Sequence, residues 1–182
     1  MYKIAIAMVI VLAGNVQGVM VDFHDNAVIQ EGDQYYRVSI FDDSIVVMAG
    51  GEVDQMLGYD SSTTTILGGQ VGWFSLEDSA TAHLYGGTFD MLYAPAADAY
   101  FHIYGYDLIV RTPSDLYFVS GYWADGTPFE LKLRRADTFG DQYVLHEIPE
   151  PGTLILLGFG FLLFRTRRLP SVWGRARKLP QG

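Results

Sequence analysis

Histidine, cysteine and acidic side chains are the first candidates for metal binding or proton transfer. This 182-residue chain has four His, no Cys, and 21 Asp plus Glu. His24, His83, His102 and His146 are scattered, and none forms the paired spacing of a zinc enzyme. The lack of Cys excludes disulfides, thiol catalysis and thiolate metal sites. We therefore predict no catalytic residues and no metal site, and we interpret the histidines as solvated or structurally satisfied.

The acidic residues form short pairs and one regular spacing. Asp42-Asp43 and Glu77-Asp78 are pairs, and Asp60 and Asp78 are 18 residues apart. Carboxylates stacked about 4.8 Å apart would repel each other or recruit a cation such as Ca²⁺. The glycine-rich pattern of calcium-binding β-rolls is absent. We expect solvated turn carboxylates and no cofactor, with calcium binding as the alternative.

Aromatic residues suit contacts with sugar rings, although strand-face packing explains most such residues. The chain has 12 Tyr, 11 Phe and three Trp. The candidates for sugar contact are Tyr59, Trp73, Tyr85, Tyr93, Tyr104, Tyr106, Tyr117, Tyr122 and Trp123. No phosphate-binding loop and no serine nucleophile elbow occurs. We predict a non-enzymatic protein, with a carbohydrate-binding or calcium-dependent adhesion module as the alternative.

These residues must be positioned by a repeat of fixed length. Glycine pairs recur every 18 residues, at Gly50-Gly51, Gly68-Gly69 and Gly86-Gly87. Apolar columns keep the same period: Met48, Ile66 and Leu84; Val53, Val71 and Phe89; Met56, Phe74 and Leu92. A short period with glycine at the corners predicts an all-β fold, a short β-solenoid of about three to four rungs of 18 residues across 43–111. Antiparallel hairpins in a sandwich are the alternative, which the strict spacing disfavours.

The period also predicts where individual side chains fall. His83 and His102 differ from this period by one residue, so we expect them to miss a common column and to point differently on adjacent rungs. Residues 19–42 are hairpin-like and predict an N-terminal β cap. Residues 112–147 predict a C-terminal hairpin cap, because Asp125-Gly126 is a hairpin turn signal between alternating strands.

The first 18 residues predict a secretory signal peptide. Lys3 precedes an apolar run from Ile4 to Ala13, and small residues follow at Gly14 and Gly18. A basic start, an apolar middle and a small-residue exit are typical of such a peptide, with its signal helix in the middle. Cleavage is predicted after Gly14 or after Gly18.

The C-terminal region has three features in a fixed order. Pro149-Glu150-Pro151 comes first, an apolar transmembrane helix is predicted over 153–164, and an Arg cluster follows. Its stop-transfer residues are Arg165, Arg167 and Arg168. The apolar helix would span about 20 Å, less than the hydrocarbon core of about 30 Å. The basic tail 169–182 is predicted to be cytoplasmic.

This order of features in 148–168 resembles the PEP-CTERM sorting signal, the tag of exosortase substrates in Gram-negative bacteria. The glycine-punctuated rungs look like those of other exported proteins with this tag. The resemblance implies passage through the inner membrane, processing by an exosortase, and release to the cell surface or extracellular polysaccharide (biofilm) matrix. The residues ahead of Pro151 and after the signal peptide hold five basic and all 21 acidic residues, a net charge of −16. We therefore expect no nucleic acid partner.

Overall fold

The computed structural model describes residues 18–112, 116–134 and 142–150. Most residues of the predicted signal peptide, the helix 153–164, Pro151, Arg165, Arg167, Arg168 and the basic tail lie outside these ranges. The described residues contain no helix, and so none that is long and apolar enough to cross a membrane. The described residues up to Pro149 form one compact unit, which contains every strand.

All regular structure in the described ranges is β. The thirteen strands are β1 (Met20–Phe23), β2 (Ala27–Ile29), β3 (Gln34–Ile40), β4 (Ile45–Met48), β5 (Glu52–Gly58), β6 (Thr63–Ile66), β7 (Gln70–Leu76), β8 (Thr81–Leu84), β9 (Thr88–Tyr93), β10 (Tyr100–Arg111), β11 (Leu116–Tyr122), β12 (Pro128–Arg134) and β13 (Tyr143–Glu147).

The strands from β1 to β10 form a β-solenoid of about five turns, which we call rungs. The odd strands β1, β3, β5, β7 and β9 stack in parallel to form face A. The even strands from β2 to β10 stack in parallel to form face B. Ile45 pairs with Thr63, and Thr63 pairs with Thr81, so these central rungs have the length that the glycine pairs predicted. Parallel pairing excludes the sandwich of hairpins.

Glycine and aspartate make the corners between the two faces. Gly51, Gly69 and Gly87 have φ of +83°, +96° and +89°, in the left-handed region that glycine adopts without a Cβ clash. Each second glycine of a pair therefore turns the chain from face B into face A. At the opposite corner Asp42, Asp60 and Asp78 have φ of 60°, 54° and 53°. Aspartate tolerates this region better than most residues, because its short side chain bonds locally.

The core is a set of stacked apolar columns between the two faces. The three predicted columns are buried, and each continues the same residue position from rung to rung: Met48, Ile66 and Leu84; Val53, Val71 and Phe89; Met56, Phe74 and Leu92. Ile103 extends the first column on β10. Phe74 and Phe101 meet edge to face across the interior, with centroids 5.1 Å apart. Each fully buried Leu, Ile or Phe stabilises the stack by about 1.5–3 kcal/mol.

The predicted N-terminal hairpin cap over 19–42 is wrong, and the number of rungs is larger than predicted. Met20 on β1 pairs in parallel with Arg37 on β3, and Ala27 on β2 pairs in parallel with Val46 on β4. This segment is therefore a rung of the coil. Its corner has a single glycine, Gly32 with φ +90°, in place of a glycine pair. The prediction missed it because the repeat was identified by its glycine pairs.

The last three strands cover the C-terminal end of the coil. β11 and β12 pair antiparallel around a turn in which Thr127 N–H donates to Asp125 Oδ1 at 2.8 Å. β12 then lies beside β9 on face A, and β13 lies beside β10 on face B. Trp123 between β11 and β12 is buried, and its indole Nε1–H donates to the Gly87 carbonyl at 3.1 Å. Residues 112–147 thus combine a hairpin with a further parallel strand.

Candidate functional site

The start of the predicted sorting signal follows directly from a strand of the coil. β13 ends at Glu147, and the next backbone N–H, that of Ile148, donates to the Gly105 carbonyl at 2.9 Å. Pro149 and Glu150 come after this last bond. Proline has no backbone donor and keeps the residue before it extended. The described part of the signal therefore leaves the coil as extended backbone.

A groove of about 430 Å³ lies on the outer surface of face A. It is lined mainly by carboxylate, carboxamide and aromatic side chains. The lining residues are Tyr36, Glu52, Val53, Asp54, Gln55, Gln70, Gly72, Trp73, Asp90 and Met91. Of the nine predicted sugar-contact aromatics, only Trp73 is among them. We call this site the face A groove.

The backbone of face A explains why so many polar groups meet there. In each rung two successive side chains point outward between two buried ones, as Asp54 and Gln55 do between Val53 and Met56. Because of this arrangement, the two core columns on the face A strands, those of Val53 and Met56, are three residues apart instead of two. Each face A strand therefore has two adjacent outward side chains at its centre instead of one. Stacked rungs place these pairs above one another.

Gly72 contributes no side chain to the outward row. It occupies the position that Asp54 and Asp90 hold on the neighbouring rungs. A Cβ at residue 72 would lie 2.6 Å from the Asp54 carbonyl oxygen, so the backbone approaches too closely for any other residue. The two carboxylates therefore lie on the rungs on either side of a residue without a side chain, and Trp73 is beside it.

One end of the groove holds a cation on aromatic rings. Trp73 and Tyr93 meet edge to face, with centroids 5.8 Å apart. The Arg134 guanidinium carbon lies 5.8 Å from the Trp73 ring centroid and 5.0 Å from that of Tyr93. Both distances are within the range of cation–π attraction. The aromatic pair thus attracts positive charge.

We call Asp42, Asp60 and Asp78 the Asp corner. Carboxylates of this corner accept hydrogen bonds from backbone N–H groups of the same corner. Asp42 N–H donates to Asp60 Oδ2 at 3.1 Å, and Asp60 N–H donates to Asp78 Oδ2 at 3.3 Å. His24 Nδ1 lies 2.9 Å from Asp42 Oδ2 at the first rung. Within the described ranges, no three His, Asp or Glu side chains are arranged to hold a metal ion.

Histidine and tyrosine rings form a cluster on the outer surface of face B, which we call the His/Tyr cluster (His83, Tyr85, His102, Tyr104 and His146). His83 and His102 stack with centroids 4.8 Å apart, and Tyr85 and Tyr104 stack at 4.2 Å. His102 Nδ1 lies 2.9 Å from His146 Nε2, and the His146 ring stacks on Tyr104 at 4.3 Å. His146 belongs to β13, so the cluster joins that strand to the coil.

The prediction that His83 and His102 point differently is wrong. His102 pairs with His83 in the register of β8 and β10. The chain between these strands is one residue longer than the period, so that Tyr100 pairs with Thr81 and the column is restored. The insertion lies in the irregular segment between β9 and β10. A counted period cannot detect such an insertion, whereas matching the strand patterns of β8 and β10 could have found it.

The cluster changes the proton affinity of its members. Partial burial lowers the pKa of His83 and of His102, and the neighbouring imidazoles lower both further by charge repulsion. Burial also raises the pKa of Tyr104, as does its contact with Tyr85. The neutral form of these rings is therefore the one that the folded coil favours.

Comparison with known proteins identifies the C-terminal region. The family model of the PEP-CTERM protein-sorting motif matches residues 147–168. The chain thus carries this motif, which implies exosortase-targeted export and membrane-associated sorting. The matched range begins at the last residue of β13 and includes the predicted sorting and stop-transfer residues. No curated protein and no solved structure gave a significant match to the chain.

Proposed function

We propose that this protein, which carries a PEP-CTERM motif at 147–168, is a non-enzymatic component of the cell surface or extracellular polysaccharide matrix. The motif match is the observation that carries the proposal. An exosortase receives the chain at the inner membrane and separates the coil from its sorting signal. The coil is the molecule that remains outside.

The geometry around β13 supports this separation of the coil from its sorting signal. β13 pairs with β10 along its whole length, so the coil is closed immediately before the motif. Pro149 and Glu150 are both exposed, which suits recognition of backbone by a processing enzyme. The coil itself is acidic, so that it stays soluble and repels polyanions after release. We assign it a binding and structural role.

The test follows the C-terminus of the exported protein. The full chain is expressed in a host with an exosortase, and the form outside the cell is analysed by mass spectrometry. We expect a C-terminus well before Gly182, and we expect Glu150→Ala to stay intact in the membrane fraction. Glu31→Ala, which removes a glutamate from a turn of the coil, should be processed like the unmodified chain. An exported chain intact through Gly182 overturns the proposal.

A carbohydrate-binding module on the same export route is the second candidate. The face A groove favours it, because Trp73 lies among carboxylate and carboxamide groups that hydrogen-bond to hydroxyls. Binding to a glycan array with and without EDTA tests it. Binding that EDTA abolishes supports calcium-dependent adhesion, binding that survives EDTA supports direct recognition, and no binding to any glycan excludes the module.

A further inference from the structure

We propose that the face A groove binds a saccharide chain that carries protonated amino groups. This inference deepens the proposed function, on which it rests, because it names the class of matrix polysaccharide that the coil contacts. Three properties of the groove support it: its charge, its aromatic end and its shape.

The charge of the groove selects the ligand. Three carboxylates, those of Glu52, Asp54 and Asp90, line it, and none of the described lining residues is Lys or Arg. Glu52 and Asp54 lie on β5 and Asp90 lies on β9, so the carboxylates come from two rungs that are not adjacent. These three carboxylates would repel an anionic saccharide. An ammonium group would make charge-assisted hydrogen bonds, which are about twice as strong as neutral ones.

The aromatic end suits the saccharide part of the ligand. Trp73 offers an indole for the apolar face of a sugar ring, and an indole also attracts a nearby cation. Arg134 already lies over Trp73 and Tyr93, at 5.8 and 5.0 Å from their centroids. The protein itself therefore places a cation on this aromatic pair. Arg134 is thus the cation at this end, and the carboxylates of the groove are the groups that would meet a ligand ammonium.

The shape of the groove suits a chain. Asp54 and Asp90 are two rungs apart, which corresponds to about 10 Å along the stack. Gly72 places no side chain between them, because the Asp54 backbone approaches too closely for a Cβ. Gln55 and Gln70 both donate and accept hydrogen bonds, so they complement sugar hydroxyls. An elongated ligand can thus meet two carboxylates at once.

Calorimetry with the full chain in detergent micelles tests the proposal. The probe is a hexamer of β-1,4-linked glucosamine, and the comparison ligands are its fully N-acetylated form and an oligomer of uronic acid. We expect the glucosamine hexamer to bind, with an affinity that falls as salt rises. The paired substitution Asp54→Asn and Asp90→Asn should weaken binding at least about tenfold, and Trp73→Ala at least about fivefold.

Asp43→Asn is the matched control, because it removes one exposed carboxylate from a corner outside the groove. Its affinity should stay within about twofold of the unmodified chain. The paired asparagine variant keeps the size of each side chain, so its circular dichroism spectrum should match that of the unmodified chain. It therefore still tests the groove if Trp73→Ala fails to fold. Equal affinity for the acetylated hexamer, or no loss with the asparagine pair, overturns the inference. Neither result would alter where the exported chain is processed, which tests the proposed function separately.

Discussion

Individual residues at the corners hold the backbone at positive φ, a conformation that most L-amino acids avoid. Glycine does this on one side of each rung, and the Asp corner does it on the other. The glycines could be predicted from the sequence, because their pairs recur with a fixed period. The role of aspartate could not, because Asp is equally common in ordinary solvated turns. The hydrogen bonds between successive Asp residues exist only once the rungs are stacked.

Substitution of Gly69 by Ala should destabilise the coil strongly. Its φ is +96°, and a Cβ there would lie 2.8 Å from the Gly51 carbonyl oxygen. Backbone strain and forced displacement together should lower the free energy of unfolding by at least about 3 kcal/mol. Gly126→Ala is the control, since Gly126 has φ +88° but nothing closer than 3.6 Å. It should cost about 1–2 kcal/mol in urea unfolding. Equal costs would mean that corner packing contributes nothing.

The Asp corner predicts a different order of substitutions at Asp60. Asp60→Asn keeps an oxygen that accepts the Asp42 N–H and tolerates positive φ, so its effect should stay within about 0.5 kcal/mol. Asp60→Ala loses both properties and should cost about 2 kcal/mol. Thermal unfolding in calcium-free buffer and again with calcium measures both variants. A stabilisation by calcium that Asp60→Asn removes would instead identify the corner as a calcium site.

At the scale of elements, β13 connects the coil to the sorting motif. It adds one strand to face B and brings His146 to His102. The sequence predicts a hairpin cap over 112–147, and its repeat predicts the solenoid. The partner of β13 could not be predicted, because it pairs with a strand much earlier in the chain that has no periodic relation to it. For the same reason the His/Tyr cluster was interpreted as separate histidines.

The docking of β13 should weaken at acidic pH. The folded state lowers the pKa of His83 and His102 below the ordinary value of about 6.5, so the unfolded state binds protons first as pH falls. Stability is then complete above about pH 7.5 and declines as the pH falls through about 6.5 towards the lower, folded-state pKa values. Tyr104 faces His83 and Tyr100 faces His102, and burial raises the pKa of Tyr104, so this phenol adds no charge in that range.

Hydrogen exchange measures this effect locally. Protection factors of the backbone amides in 143–148 should fall between about pH 7.5 and pH 5, while those of β4 and β6 change less. His146→Phe keeps the ring that stacks on Tyr104 but cannot take up a proton. It removes the charge repulsion from His146 but leaves the burial of His83 and His102, so the pH dependence of β13 should become shallower. An unchanged pH dependence in that variant would show that β13 opens for another reason.

At the scale of the whole molecule, the stacked coil has two ends whose strand edges can pair with other chains. The sequence predicted the stack itself, since period and composition together determine parallel rungs. It underestimated the number of rungs, because the first one lacks a glycine pair. The closure of the C-terminal end depends on contacts between distant residues, such as Trp123 and Gly87, that no local pattern contains.

Trp123 is the residue by which that closure can be tested. It is 2% exposed, stacks on Phe129 with centroids 3.9 Å apart, and donates to a carbonyl of the third glycine corner. Trp123→Ala should lower the free energy of unfolding by about 3–5 kcal/mol, because it leaves a cavity and an unpaired carbonyl. It should also free β12 from β9 and expose that edge, so sedimentation velocity should detect oligomers that grow with concentration.

Leu67→Ala, at a side chain that is 53% exposed beside face B, should change stability by less than about 0.5 kcal/mol and leave the chain monomeric. A Trp123→Ala protein that is destabilised but stays monomeric at all concentrations would mean that β13 alone protects the end of the coil.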